Sequence, residues 1–164
     1  MDQSGAAAGH NQRIVDIALD EHSIKRWSLD IDHERKVAIF DLLEANYFAP
    51  TNGLVGPFHL FLAIEENRLL FHIRDPGGHT LDRVLLPVTP FRRIVKDYFQ
   101  ICESYFEAIK TASPSRIESI DMGRRGVHDE GSTLLRERLA DRIAIDQNTA
   151  RRLFTLICVL HLRG

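Results

Sequence analysis

The sequence predicts a single α+β domain, in which an antiparallel β-meander sheet packs against a helical C-terminal half. Apolar residues alternate in three short runs between residues 58 and 86, with turn-forming residues between the runs, as in half-buried strands. From residue 88 to the C-terminus, apolar residues recur at helical spacing instead. A chain of 164 residues is long enough for one core of its own. We therefore expect a sheet of three to five strands within one domain over residues 13–164.

The N-terminal region is predicted to hold a tail, a strand and a helix. Residues 1–12 are small and polar without an apolar period, which predicts a disordered tail. Apolar and polar residues alternate from Ile14 to Leu19, which predicts a half-buried strand. A helix is predicted to begin at Asp30 or Asp32, where either side chain can cap it, and to end near Asn46. Its buried face is predicted to comprise Val37, Phe40, Leu43 and Tyr47.

The meander follows a loop rich in glycine and proline. Its strands are predicted across residues 58–64, 69–73 and 81–86, where apolar side chains take alternate positions. Residues 65–68 can turn, and the segment Asp75-Pro76-Gly77-Gly78 has the residue types of a tight turn. Short connections of this kind join neighbouring antiparallel strands.

The segment from Val88 to Ala112 has the clearest helical pattern, and we expect it to be the spine of the core. Thr89 supplies a capping hydroxyl and Pro90 suits the first helical position. Apolar residues occupy one half of the helix and all charged residues the other. An apolar face about 180° wide predicts contact with both the sheet and another helix.

Three further helices are predicted after the spine helix. Ser113 and Pro114 open the first, which is expected to break at residues 122–131, MGRRGVHDEG, because three glycines interrupt it. A second helix is predicted to end near Ile143. Asp146 can cap the last helix.

The last helix is apolar all round from Leu153 to Leu162, apart from Thr155 and His161. A helix without a polar face is buried in its own core or shared with another chain. We expect it to be largely buried against the Phe91–Ile109 face and, where one domain cannot cover it, to form a homodimer interface.

Composition excludes several classes of function. The net charge of −2 argues against nucleic-acid binding, and the chain has neither a signal-peptide pattern nor an apolar run long enough for a membrane span. Cys102 and Cys158 lie in apolar helical patterns, as packed, reduced thiols of a cytoplasmic protein do. No phosphate-binding loop, dinucleotide fingerprint or zinc-binding cysteine set is present. The sequence thus predicts a cytoplasmic location, no cofactor, no metal site and no membrane association.

Arginines in unusual positions are the first candidate functional feature. Arg92 and Arg93 lie in the first turn of the spine helix, where the helix dipole disfavours cations. A carboxylate of the meander, such as Asp75 or Asp82, would compensate for them structurally. A bound phosphate or carboxylate ligand would do so functionally.

The second candidate feature is the segment MGRRGVHDEG. Arg124 and Arg125 stand between glycines, an arrangement suited to phosphate. His128 and Glu130 follow and are weak candidates for acid-base catalysis, and no catalytic residue is assigned. The sequence predicts an anion-binding surface built at least in part from Arg92, Arg93, Arg124 and Arg125.

Three strings carry a resemblance to a known family: TPFRRIVKDYF, DMGRRGVHDEGS and TARRLFTLICVLH. With them, the chain resembles the bacterial group called uncharacterised protein family 0262. The resemblance covers most of the chain after the tail and is strongest from Val88 to the C-terminus. It implies membership of that family, but no activity, cofactor or catalytic residue that could be transferred.

Two functions remain open at this stage. The sequence favours a non-enzymatic binding or regulatory module whose partner is a protein or an anionic small molecule. The alternative is a small enzyme acting on a phosphate- or carboxylate-bearing substrate at the Gly123–Gly131 loop. An enzyme predicts a concave pocket that contains Arg124, Arg125, His128 and Glu130, whereas a binding module predicts a flat patch.

Overall fold

A computed structural model describes residues 11–20 and 29–160 of the chain. The strands are β1 (Ile14–Leu19), β2 (Phe48–Pro50), β3 (Phe58–Glu65), β4 (Arg68–Arg74), β5 (Thr80–Pro87) and β6 (Ile143–Ile145). The α-helices are α1 (Leu29–Glu44), α2 (Arg92–Thr111), α3 (Pro114–Leu139) and α4 (Gln147–Leu160). The predicted α+β class is confirmed. Within the described ranges, every helix is too short or too polar to span a bilayer.

The main sheet has four strands in the order β1-β3-β4-β5. Strands β3, β4 and β5 form the predicted antiparallel meander. Strand β1 pairs with β3 in parallel, with Ile17 opposite Leu60, so the sheet is mixed and not antiparallel throughout. The reason is that α1 follows β1 and precedes β3 along the chain. This crossover returns the chain to the end of the sheet where β1 began, so β3 runs in the same direction as β1. A second, two-stranded sheet pairs β2 with β6.

Helix α4 lies at the centre of the helical layer, packed against α1, α3 and the sheet strand β3. Every residue from Leu153 to Leu160 is buried, which confirms the prediction of a buried last helix. Its Phe154 ring lies 6.0 Å from the Tyr98 ring of α2, but its main neighbours are α1 and α3. Residues 153–160 are covered within one chain and offer no surface to a second copy. Dimerisation stays a prediction, and the predicted continuation through His161 and Leu162 falls outside the described residues.

The predicted apolar face of α1 is mostly exposed, although its Leu43 packs against the core. Phe40, Val37 and Tyr47 are 66%, 43% and 41% exposed, whereas Ala38 and Leu42 are buried. Apolar residues occur on several sides of this helix, so its sequence pattern is weak. Helix α1 packs against α4, and that packing decides which face is covered.

The spine helix differs from the prediction at its start. Residues Thr89–Phe91 form a short 3-10 turn, α2 begins at Arg92, and the Thr89 hydroxyl makes no capping hydrogen bond. The predicted apolar face is confirmed in part: Val95, Tyr98 and Cys102 are buried, whereas Ile109 is 50% exposed. Among the described elements the main neighbour of α2 is the helix α3, and the predicted contact of α2 with the sheet is not among its main contacts.

The predicted loop at residues 122–131 is also wrong, because α3 runs without interruption from Pro114 to Leu139. Two of its three glycines, Gly123 and Gly131, allow neighbouring helices to pack closely. A Cβ on Gly131 would overlap the ring of Phe154 in α4, and one on Gly123 would lie 2.8 Å from Ile101 of α2. Two glycines that a local pattern marks as helix breakers are therefore sites where neighbouring helices come close.

Two of the predicted helix caps are confirmed. The Ser113 hydroxyl accepts a hydrogen bond from the Arg116 N–H at 3.4 Å, and the Asp146 carboxylate accepts one from the Thr149 N–H at 2.8 Å. At the N-terminus, the described part of the chain includes Asn11 and Gln12, which were assigned to the tail. The Gln12 side chain donates to the Leu54 carbonyl at 2.8 Å. Residues 1–10, the rest of the predicted tail, fall outside the described part of the chain.

Candidate functional site

A concave pocket opens where all four helices meet. Its volume is about 340 Å³, within the range of small-molecule sites. Its walls carry a high density of charged side chains. The lining residues are Glu34, Val37, Ala38 and Asp41 of α1, Tyr98 of α2, Arg124, Arg125 and His128 of α3, and Arg151, Arg152 and Thr155 of α4.

Helices α3 and α4 present the same spacing of polar residues to this pocket. Each has two consecutive arginines followed, after two further residues, by a hydrogen-bonding side chain: RRGVH from residue 124 and RRLFT from residue 151. Residues four apart lie on one side of a helix. The shared spacing therefore places an arginine pair and a polar anchor of each helix in the pocket.

The two arginine pairs lie at opposite ends of the pocket. His128 contacts Thr155 and Thr133 contacts Gln147, so α3 and α4 run antiparallel. Each arginine pair precedes its anchor by one helical turn. We call the two ends the Arg124 end (Arg124, Arg125, Asp121 and Glu34) and the Arg152 end (Arg151, Arg152, Asp129 and Asp41).

At the Arg124 end, Asp121 binds both arginines. Arg124 donates to Asp121 Oδ1 at 2.6 and 3.1 Å, and Arg125 lies 2.9 Å from Oδ2. These hydrogen bonds, that from Arg124 first, hold the pKa of the Asp121 carboxyl below its usual range. Arg124 also stacks on the Tyr105 ring at 4.6 Å and lies 3.9 Å from Glu34. Arg125 has a side chain that is 70% exposed, so its guanidinium can turn towards a ligand.

At the Arg152 end, the two arginines differ in how firmly they are held. Arg151 forms a close ion pair with Asp129. Among the described residues, Arg152 makes only a long hydrogen bond of 3.4 Å to the Asn148 carbonyl and lies 4.0 Å from Asp41. The Arg152 guanidinium therefore has the most unused hydrogen-bonding capacity of the pocket arginines.

His128 and Thr155 form the junction between the two ends. His128 Nε2 lies 2.8 Å from the Thr155 hydroxyl oxygen. That hydroxyl donates its only proton to the Arg151 carbonyl at 3.2 Å. His128 Nε2–H must then be the donor to Thr155, and Nδ1 is left as an acceptor. The Tyr98 and Phe154 rings flank the imidazole at 5.4 and 5.5 Å.

The environment of His128 keeps its imidazole neutral at pH 7. Burial lowers its pKa to about 4, and the positive charge of Arg151 adds to this effect, while Asp129 opposes it. The other charged or titratable side chains around the same pocket are Glu34, Asp41, Tyr98, Arg124, Arg125 and Arg152. A neutral imidazole leaves the cationic character of the pocket to its arginines.

The buried imidazole predicts a stability change with pH. A histidine in the unfolded chain titrates near 6.5 whereas His128 in the folded protein titrates near 4, so acid favours the unfolded state. The stabilisation is complete above pH 6.5 and is lost as the pH falls towards 4. Between pH 7 and pH 5 we expect His128 to account for about 2 kcal/mol of lost unfolding free energy.

Urea unfolding at both pH values measures this loss. In His128→Gln, which keeps a donor for Thr155, the loss between pH 7 and pH 5 should be smaller than in wild type by that amount. An equal loss in both proteins would contradict the assignment of a buried neutral imidazole.

The structure separates the sequence-predicted site residues. Arg124, Arg125 and His128 line the pocket, whereas Glu130 is exposed outside it because it lies about 200° around the helix from His128. Arg92 and Arg93 lie outside the pocket lining. The predicted surface of four arginines is therefore divided between two places.

The predicted pairing of Arg92 and Arg93 with a meander carboxylate is wrong for the described residues. Arg92 donates to the Asn67 side-chain oxygen at 2.9 Å. Asp75 is engaged by His79, and Asp82 lies 3.6 Å from Arg142. The partner of Arg92 in the first turn of α2 is therefore the Asn67 side-chain amide, from the turn between β3 and β4, and not a carboxylate.

Sequence reasoning missed most of the pocket. The arginine pair of α4 could have been found from the spacing it shares with α3. Glu34 and Asp41 of α1 could not have been predicted as pocket residues from local sequence, since their position depends on how that helix packs against α4.

Among the described residues, no three His, Cys, Asp or Glu side chains are grouped as metal ligands. Cys102 is buried and forms no disulfide, and burial raises the pKa of its thiol to about 11.

Comparison of the sequence with known proteins places this chain in one family. The family model described as "Uncharacterised protein family (UPF0262)" matches residues 11–163. A UPF0262 protein of Rhodopseudomonas palustris (strain TIE-1) is 60% identical over 94% of both chains. One of Paramagnetospirillum magneticum is 56% identical over 94% of this chain and 99% of its own, and one of Nitrobacter winogradskyi is 59% identical over 93% and 91%. No solved structure matches the chain. Both the family model and these identities show that the chain belongs to the UPF0262 family.

Proposed function

We propose that this protein is a binding module for a small carboxylate- or phosphate-bearing molecule, which occupies the four-helix pocket. One observation carries the proposal: four arginines from two helices converge on a single concave site. Guanidinium groups form paired hydrogen bonds with carboxylate and phosphate. A concave site of this volume suits a small molecule better than the flat face of a protein partner.

Arg125 and Arg152 are the principal ligand contacts in this proposal. Arg124 and Arg151 are held by close pairs with Asp121 and Asp129. Within the described part of the chain, Arg152 has only long contacts with its neighbours, so its guanidinium can bind an anion without first breaking a close ion pair. Arg125 lies 2.9 Å from Asp121 but its side chain is 70% exposed. It can turn towards a ligand because Arg124 keeps two hydrogen bonds to the same carboxylate.

The chemistry of the pocket favours binding over catalysis. A general base works best when its pKa lies near the working pH, whereas the pKa of His128 is lowered to about 4. The Thr155 hydroxyl is engaged by His128 and the Arg151 carbonyl. The concave shape, with Arg124, Arg125 and His128 in its lining, is the one expected for the enzyme alternative and not the flat patch expected for a binding module. The enzyme alternative also placed Glu130 inside a site formed by a loop, but that segment is helical and Glu130 faces away. The predicted cytoplasmic location remains part of this proposal.

Thermal unfolding with added anions tests the proposal. Acetate, succinate, phenyl phosphate and inorganic phosphate are added separately to wild type, Arg125→Gln, Arg152→Gln and the control Arg93→Gln. At least one anion should raise the melting temperature of wild type by several degrees at saturation. In the two pocket variants the apparent Kd should weaken about tenfold or more, by loss of a charged hydrogen bond.

The control separates the pocket from surface charge in general. Arg93 is exposed and lies outside the pocket, so Arg93→Gln should keep the wild-type response. An equal loss in Arg93→Gln would assign binding to diffuse charge. If neither these four anions nor any carboxylate that also bears an ammonium group binds wild type, this function is excluded.

A further inference from the structure

We propose that the ligand of this pocket is a zwitterion of the amino-acid class, whose carboxylate binds Arg152 and whose primary ammonium group binds Asp41. This inference rests on the proposed function and narrows it to one class of ligand. The observation that supports the zwitterion is the distribution of positive and negative charge between the walls of the pocket.

For the residues that the structure describes, the charges around the pocket balance. Four arginines line it, and each of four carboxylates, those of Glu34, Asp41, Asp121 and Asp129, lies within 4.0 Å of one of them. A simple anion such as phosphate would leave the site with excess negative charge. A zwitterion leaves the balance unchanged and can satisfy both signs of charge.

The two signs of charge also lie on different walls. Of the described residues that line the pocket, the two carboxylates, Glu34 and Asp41, come from α1, and the arginines come from α3 and α4. Residues seven apart lie on one face of a helix. Helix α1 therefore forms an acidic wall opposite a basic one.

Asp41 and Arg152 face each other without a direct hydrogen bond. Their closest atoms are 4.0 Å apart, beyond the 2.7–3.2 Å of a hydrogen bond. Among the described residues, no group donates a hydrogen bond to the Asp41 carboxylate, which is 42% exposed. Glu34 differs, because its neighbour Arg124 is already held by Asp121 at 2.6 Å. The Arg152 end is thus the place where a cation and an anion both lack a close partner.

A zwitterion fits this gap. Its carboxylate accepts paired hydrogen bonds from the Arg152 guanidinium, and its ammonium group donates to Asp41. Val37, Ala38 and Tyr98 lie in the same pocket and provide apolar contact for the uncharged part of the ligand. The long Asp41–Arg152 pair would be replaced by two close, charge-assisted pairs.

Matched ligands test this directly by isothermal titration calorimetry on the full chain. Each amino acid is compared with the acid that lacks only its amino group: leucine with isocaproate, phenylalanine with hydrocinnamate, and glutamate with glutarate. At least one amino acid should bind wild type about tenfold tighter than its partner acid. Asp41→Asn should remove that advantage and leave binding of the partner acid unweakened.

Glu44→Gln is the matched control, since Glu44 is an exposed acid on the same helix outside the pocket. It should keep the wild-type preference, and melting temperatures verify that both variants are folded. If every amino acid binds no tighter than its partner acid, or if Asp41→Asn keeps the preference, the zwitterion inference is overturned. Carboxylate binding that depends on Arg152 would in that case still support the proposed function. If neither these ligands nor the simple anions bind wild type, both proposals fail.

Discussion

Gly131→Ala is expected to destabilise the protein by about 2–3 kcal/mol, although alanine is the better helix former. A Cβ at this position overlaps the Phe154 ring. Phe154 is fully buried, and the Tyr98 and His128 rings pack against it at 6.0 and 5.5 Å, so the ring has little room to move. Helices α3 and α4 must separate, or the ring must leave its preferred rotamer. Urea unfolding at pH 7 measures the change.

Gly126→Ala provides the matched control on the same helix. A Cβ on Gly126 would have no neighbour within 4 Å, so this change should stabilise the protein by up to about 1 kcal/mol through helix propensity. Phe154→Leu should reduce the loss caused by Gly131→Ala in a double-mutant cycle. Equal stability of Gly131→Ala and Gly126→Ala would show that close packing is not the reason for the glycine.

Truncation after Arg152 is expected to abolish the folded state. It removes Leu153–Leu160, in which Thr155, at 8%, is the most exposed residue. Burying one large apolar side chain contributes about 1.5–3 kcal/mol, so the lost segment exceeds the roughly 5–15 kcal/mol stability of a typical domain. The truncated chain should be insoluble, or should bind ANS and lack a near-UV circular dichroism signal.

The point variant Leu156→Ala is the control for this truncation, because it removes one buried side chain and not the whole segment. It should remain folded and lose about 2–5 kcal/mol, as a single core cavity does. A folded, soluble truncation product would contradict the central position of α4. Rapid proteolysis within residues 153–160 of the intact protein would do the same.

Local patterns were sufficient for the elements whose cause is local. The alternation in β3, β4 and β5 predicts strands because side chains of a strand face opposite sides in turn. The Ser113 and Asp146 caps were correct because a cap involves residues only three apart. Helix α4 was predicted to be buried because it has no polar face, whatever packs around it.

Glycine shows where local patterns mislead. The three glycines of residues 122–131 predict a break when only backbone freedom is considered. In the structure α3 is continuous. The missing side chains of Gly131 and Gly123 leave room for Phe154 and Ile101, which come from other helices. Helix packing can outweigh a propensity cost of about 1 kcal/mol per glycine.

Long-range packing alone decided the register of β1, the buried face of α1 and the pocket itself. Asp41 and Arg152 are far apart in the chain, and their proximity depends on how α1 docks on α4. The sequence shows which residues carry charge and which helices they occupy, because composition and periodicity are properties of neighbouring residues. Which charges meet depends on how the helices assemble around the core, and that assembly brings an acidic and a basic wall together in one pocket.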